Sequence, residues 1–283
     1  MSGRDWIEAL PGELAGQKAL LRRLLAECEA RQSFRWLVVA CSVGRGAGDS
    51  LSDLDMGMGL RDEVFDTALG ELRLVIDGLG DLVDSYHHQV PGRAVRHERI
   101  FAQYADRCQI DLVAIPATQT IGAVRDEVLL YGGDMHEVMP FEQPVLTAEQ
   151  LREWAFAGWC ALADVGKYLR RGSAWEAMQR LNEARDHGWR LWAAALDVPN
   201  PQYGLTSILD FAPGGLPAGM EETVAALGST SILAAAQSLA GQLTAAGDRL
   251  PAGQRELLPG AMGSFVAADL AAIAAAGRAA PSD

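Results

Sequence analysis

Lysine is nearly absent from this chain: Lys18 and Lys167 are its only lysines in 283 residues. Lysine and arginine together number 24 against 37 acidic residues, for a net charge of −13, and no stretch concentrates the arginines. That argues against a partner gripped through many phosphate contacts, because such binding needs clustered cations to displace counterions. Neither nucleic acid nor an anionic membrane surface is an expected partner; a small or cationic ligand suits the charge better. Cysteine is also scarce. Cys28, Cys41, Cys108 and Cys160 are widely spaced with no C-x-x-C pair, which reads as buried thiols. The five histidines form no zinc pattern, and strand alternation turns adjacent His87 and His88 to opposite faces. No apolar run approaches the roughly 20 residues that span a bilayer. The start, Met-Ser-Gly-Arg-Asp-Trp, lacks the apolar core of a signal peptide, so the expected location is the cytoplasm.

Glycine, by contrast, is plentiful, and it gathers in VVACSVGRGAGDSLSDLDMGM. A β-like run from Phe34 to Cys41 leads through Gly44, Gly46 and Gly48 to a second extended run bearing Asp53 and Asp55. Alternation puts these two carboxylates on one face, about 7 Å apart, with Leu54 turned into the core. Such carboxylates are the hard oxygen ligands that Mg²⁺ takes when it also grips a nucleotide's phosphates. A third acid, Asp111, lies inside another apolar run, Gln109 to Val113. Three acids on adjacent strands suit a two-metal arrangement for in-line displacement at phosphorus. An Asp-x-Asp pair after glycines is also ordinary turn chemistry. The serine Ser42, the spacing, the preceding strand and the later strand acid together favour catalysis.

Ser42, the glycine turn, Asp53-x-Asp55 and Asp111 resemble the nucleotidyltransferase superfamily typified by DNA polymerase β. The likeness is closest to its small aminoglycoside- and lincosamide-modifying members. Their signature reads apolar-Gly-Gly/Ser, a short spacer, then Asp-apolar-Asp/Glu-apolar. Here Ser42 holds the serine position and ten residues separate it from Asp53, while Cys41 replaces the first glycine. The resemblance covers residues 34 to 116 well and 147 to 196 more loosely. It implies attack by an acceptor hydroxyl on the α-phosphorus of a nucleoside triphosphate, ATP first among them, with Mg²⁺ as cofactor. The acceptor implied is a small hydroxylated molecule such as an aminoglycoside-like antibiotic. Asp53, Asp55 and Asp111 would hold metal, with Asp111 also the candidate general base. Ser42 and Arg45 would meet phosphate oxygens, and Lys167, on a helix of the second half, would reach the triphosphate. For Arg45 and Lys167 a solvated surface role stands beside that reading. Replacing Cys41 by glycine should tighten nucleotide binding at roughly 0.5–1 kcal/mol of backbone entropy.

The expected fold is α+β: a small mixed sheet in residues 1–143, followed by a helical bundle in 144–283. A helix is expected over 11–31 and another over 61–78, its apolar side running from Val64 to Val75. Strands follow over 82–90, 95–104 and 108–115. A tight turn at Asp106–Arg107 would set Asp111 opposite Ala102, so that Glu98, a second candidate base, shares its face about 13 Å away. Turn chemistry around Gly132, Gly133, Asp134, Pro140 and Pro144 marks the domain boundary. Thr147-x-x-Gln150 and Ser173-x-x-Glu176 fit capping boxes that open two long helices. Trp175, Met178, Leu181, Trp189 and Trp192 lie at helical spacing as core residues. Glu176, Glu183 and Asp186 form a candidate acidic wall for a cationic acceptor or an ordinary exposed face. Two other functions remain open: a degenerate nucleotide-binding or protein-partner module, and a protein- or RNA-modifying nucleotidyltransferase.

Overall fold

The structure, a computed structural model, describes residues 1–90, 96–119, 127–132 and 146–279. The chain divides into two compact units, Met1–Glu142 and Gln143–Asp283. The turn residues Gly133, Asp134, Pro140 and Pro144, the boundary placed among them, and Val95 lie outside the described residues.

The first unit opens with α1 (Gly3–Ala9), a helix too short to leave a periodic signature. Its capping box is complete: Ser2 and Asp5 each accept the other's backbone N–H. Then α2 (Ala15–Ala30) follows a 3-10 turn over Gly12–Leu14, so the helix starts later than Pro11 suggests. The remaining elements are β1 (Phe34–Val39), the short α3 (Cys41–Gly44), β2 (Leu54–Leu60), α4 (Phe65–Gly78), β3 (Leu82–Gln89), β4 (Glu98–Tyr104), β5 (Gln109–Pro116) and β6 (Val128–Tyr131). Val64 precedes α4 and is exposed, whereas Phe65, Leu69, Leu72 and Val75 are buried.

Among the described residues the strands form one six-stranded mixed sheet in the order β3-β4-β5-β2-β1-β6. Only β2 and β5 pair in parallel; the other neighbours are antiparallel. Even-numbered residues of β2, β4 and β5 (Met56, Ile100 and Leu112 among them) share a core with Leu21, Leu24, Leu72 and Ile76 of α2 and α4. The odd-numbered residues therefore face the other way. On that second face Trp36, Val38, Ile115 and Ala117 make a smaller cluster. Gly59 lies under the Trp36 indole, where a Cβ would run into the ring, and Trp36 Nε1 donates to the Ala117 carbonyl at 3.0 Å.

The β4–β5 hairpin differs from expectation by one residue. Gln103 pairs with Gln109 and Phe101 with Asp111. The loop spans Ala105, Asp106 and Arg107, and Arg107 has φ 74°, the left-handed position glycine usually fills. A two-residue turn would pair Ala102 with Asp111. The extra loop residue reverses which side chains share a face.

The second unit is helical: α5 (Ala148–Arg170), α6 (Ala174–Ala195), α7 (Leu205–Phe211), α8 (Ser229–Arg249), α9 (Ala252–Arg255) and α10 (Gly260–Ala279). Leu162, Val165, Leu181, Leu191, Leu239 and Leu243 are in its core. The Thr147–Gln150 capping box is present, with Thr147 Oγ1 accepting from the Gln150 N–H at 3.1 Å. Ser173 makes no side-chain cap. Arg170 and Asp269 form a two-bond ion pair that ties α5 to α10. Trp175 is 75 % exposed, unlike Leu181 and Trp192. At about 100° per residue, those two lie roughly 110° round the helix from Trp175, which therefore falls outside the buried arc. Among the described residues no helix is long and apolar enough to cross a membrane.

Candidate active site

Asp55, the second residue of β2, and Asp111, the third of β5, face each other across the parallel pair. Strands so paired lie about 4.8 Å apart, which puts the two carboxylates on one face as neighbours. Asp53 stands two residues before Asp55, at the mouth of β2, and its charge is felt there. Burial and then Asp53 push the Asp55 carboxyl up to about 6; the Cys41 thiol that donates to it lowers it by more than Asp111 raises it, and Arg99 opposes the rise least. Three acids crowd one strand end.

Asp111 is already engaged. Arg99 Nε donates to Asp111 Oδ1 at 2.8 Å, and Arg99 Nη2 donates to Oδ2. This two-pronged pair crosses diagonally from β4 to β5, since Arg99 is directly opposite Val113. Among the described residues no three Asp, Glu, His or Cys side chains converge at metal-binding distance. The donor set nonetheless fits a hard divalent cation: carboxylate oxygens that repel one another, one of them partly buried and costly to ionise. Asp53 and Asp55 would hold it, joined by Asp111 once its oxygens turn from Arg99.

Glu98 is not in the site. The one-residue change of register puts it opposite Ala114, on the helix-covered face. It is 4 % exposed and paired there with Arg96 at 2.8 Å and Arg73 at 3.7 Å.

The segment between β1 and β2 is shaped by backbone geometry more than by side chains. The strand ends at Val39 and the chain turns at once into α3, so Cys41 and Ser42 sit in a helical turn and not on the strand. Cys41 has φ 54°. Its thiol donates to the Asp55 carboxylate and is pushed up to about 12, first by burial and then by Asp55. Arg45 caps the same turn, and its charge opposes that rise. A non-glycine residue held left-handed costs about 1–2 kcal/mol. Cys41→Gly should therefore stabilise the protein by about 0.5–1 kcal/mol after the entropy cost of glycine. This reverses the sign expected from a strand residue. Urea unfolding of the two proteins measures it, and a lower midpoint for the variant would contradict the strain assignment.

Gln17 is the residue that sequence reading overlooks. It is 2 % exposed within the apolar side of α2. Its Nε2 reaches the carbonyls of Ser52 at 2.8 Å, Ser50 at 3.3 Å and Asp49 at 3.4 Å, pinning the loop that delivers Asp53. The same loop is tied internally by Asp49 Oδ1, which accepts from the Leu51 N–H at 2.9 Å. A polar residue three positions before Leu20, on the buried side, was the available signal. Gln17→Leu strands these carbonyls and should cost about 1–3 kcal/mol. It should also lower turnover more than it raises the nucleotide KM, because it loosens a metal ligand. Unchanged stability and turnover would remove Gln17 from the account.

The remaining candidates belong to the second unit. Lys167 Nζ is 2.5 Å from Asp164 Oδ1 and lies 4.7 Å from the centre of the Tyr168 ring. Glu176, Glu183 and Asp186 are exposed on α6, and Glu183 pairs with Arg180 at 2.6 Å.

No protein-family model matches the sequence, and no curated protein matches it. Among solved structures, the chain is similar to an aminoglycoside 6-adenyltransferase from Bacillus subtilis. That match has 13% identity and a TM-score of 0.36, over 88% of this chain and 97% of the other. It is also similar to terminal uridylyl transferase 4 from Trypanosoma brucei, with 14% identity and a TM-score of 0.25, over 85% of this chain and 71% of that one. Both neighbours are nucleotidyltransferases.

Proposed function

We propose that the protein is a Mg²⁺-dependent nucleotidyltransferase that moves a nucleoside monophosphate, from ATP in the first instance, to a hydroxyl of a small cationic acceptor such as an aminoglycoside. The observation that carries this reading is the parallel pairing of Asp55 with Asp111, with Asp53 at the mouth of the same strand. The acceptor oxygen forms a bond to the α-phosphorus while the bond to the bridging oxygen of the β-phosphate breaks, and pyrophosphate leaves. The hydroxyl proton passes to Asp111. Mg²⁺, when bound by Asp53 and Asp55, supplies neutralisation of the triphosphate and of the charge that develops on it. Ser42 and the amides at the start of the Cys41–Gly44 turn orient the phosphates, with Arg45 as the cation on that side.

The test is incubation of the pure protein with each nucleoside triphosphate, Mg²⁺ and a panel of hydroxylated amino sugars, following pyrophosphate release. Acceptor-dependent release supports the proposal. Its absence across the panel sinks it. The two-pronged Arg99–Asp111 pair favours one second reading, a module that binds nucleotide without transferring it. Nucleotide binding without pyrophosphate release would mark that case.

A further inference from the structure

The exposed half of the sheet face, beyond Asp111, carries two aromatic rings that the core does not use. Tyr86 of β3 is 64 % exposed and Phe101 of β4 is 37 % exposed. The pairing sets Tyr86 opposite Phe101 and Phe101 opposite Asp111, which itself faces Asp55. The four residues make one cross-strand row, running from bare aromatic surface to the buried acid. Both rings are braced along the strands: His88 stacks on Tyr86 at 5.3 Å between ring centres, and the Arg99 guanidinium lies 4.4 Å from the centre of Phe101. Away from those braces, a groove of about 280 Å³ opens beside the row, lined by Tyr86 and Phe101 together with Asp53, Asp84 and Asp111 but by neither His88 nor Arg99. Its volume is close to the lower end of about 300–1,000 Å³ for small-molecule sites.

We propose that this groove is the acceptor subsite, and that Tyr86, Phe101 and Asp84 select a hydroxylated ring compound carrying several ammonium groups. The inference rests on the nucleotidyltransferase reading for its link to catalysis. Aromatic faces attract cations, as Arg99 over Phe101 already demonstrates, and they also cover the apolar side of a saturated ring. Asp84, at the rim, adds a carboxylate for an ammonium, while Asp53 and Asp111 lie at the inner end where a hydroxyl must meet the α-phosphorus. A neutral sugar gains the stacking alone.

Calorimetric titration of the nucleotide-free protein tests this, with kanamycin as the polycationic probe and trehalose as the neutral one. Kanamycin should bind and trehalose should not. Tyr86→Ala and Phe101→Ala should each weaken kanamycin about threefold to fivefold, as befits cation–π contacts at exposed sites. Asp84→Asn should weaken it by a similar factor, while MgATP binding stays unchanged in all three. Failure of the wild-type protein to bind kanamycin, equal binding of trehalose, or kanamycin affinity untouched by both ring variants would overturn the proposal. The two readings fail separately. Kanamycin binding lost in the ring variants, with no pyrophosphate release, retires the transferase and keeps the groove. Pyrophosphate release whose acceptor KM ignores Tyr86 and Phe101 retires the groove and keeps the transferase.

Discussion

Asp55→Asn should abolish nucleotidyl transfer and yet stabilise the metal-free protein at neutral pH. Loss of turnover follows from removing one of two adjacent ligand charges; a fall of about 10²–10³-fold is the expected scale for a group that stabilises transition-state charge. The stability effect follows from linkage. The Asp55 carboxyl is raised from 3.8 to about 6, first by burial and then by Asp53. A carboxyl raised on folding contributes stability that is fully present below the unfolded value and is lost as pH rises through the folded one. At neutral pH the ionised Asp55 therefore strains the first unit, and the neutral amide does not. Discounted for solvent screening, the gain is on the order of 1 kcal/mol. That corresponds to a rise of about 2–4 °C in the melting of this unit. It should vanish below about pH 4, where wild-type Asp55 is protonated. Asp53→Asn should lose transfer equally and relieve part of the same repulsion. Wild-type turnover by either variant at saturating Mg²⁺ would contradict the assignment. So would an Asp55→Asn protein that is less stable than wild type at neutral pH in chelator.

The second large effect belongs to Arg99. Its guanidinium holds both oxygens of Asp111, whose side chain is only 13 % exposed, while that of Arg99 is 41 % exposed. A charge-assisted pair of this kind is worth about 1.5–3 kcal/mol, toward the lower end when half-solvated. A divalent ion that recruits Asp111 must displace it. Arg99→Met removes the competitor and leaves an unpaired carboxylate beside two others, so divalent affinity should rise about tenfold. Terbium luminescence, with Mg²⁺ as displacing ion, reads this without any turnover. Asp111→Asn should shift affinity the opposite way. Unchanged or weaker metal binding in Arg99→Met would mean that the pair is structural and that Asp111 does not face the ion.

These two residues show what the sequence discloses and what it hides. Asp53, Asp55 and Asp111 are legible because strand alternation is strict: a carboxylate at every second position, after a glycine turn, puts acids on one face whatever the tertiary detail. The neighbourhood of Asp111 is not legible, because it depends on a hairpin register set by one loop residue. Arg107 takes the left-handed conformation that sequence rules reserve for glycine, so a three-residue loop forms where two residues are expected. That single step sends Glu98 to the core side among Arg73 and Arg96, and brings Arg99 and Phe101 to the acids. Cys41 shows the complement. Its departure from the glycine of the motif is visible in sequence, but the positive φ that explains why glycine belongs there is not. Trp175 and Ser173 mark a third limit: Trp175 lies outside the buried arc of α6 although it is an aromatic residue near the helical repeat, and Ser173 has the spacing of a capping box without making the cap.

Direction of chemistry to the α-phosphorus by these acids is the heart of the proposed reaction. Its most direct test uses ATP labelled either at the α-phosphate or at the γ-phosphate, incubated with the protein, Mg²⁺ and kanamycin. The α-label should appear on the amino sugar while the γ-label leaves in pyrophosphate. Asp53→Asn and Asp55→Asn should show neither. Transfer of γ-label to the sugar, or release of labelled orthophosphate with no labelled sugar, would contradict it.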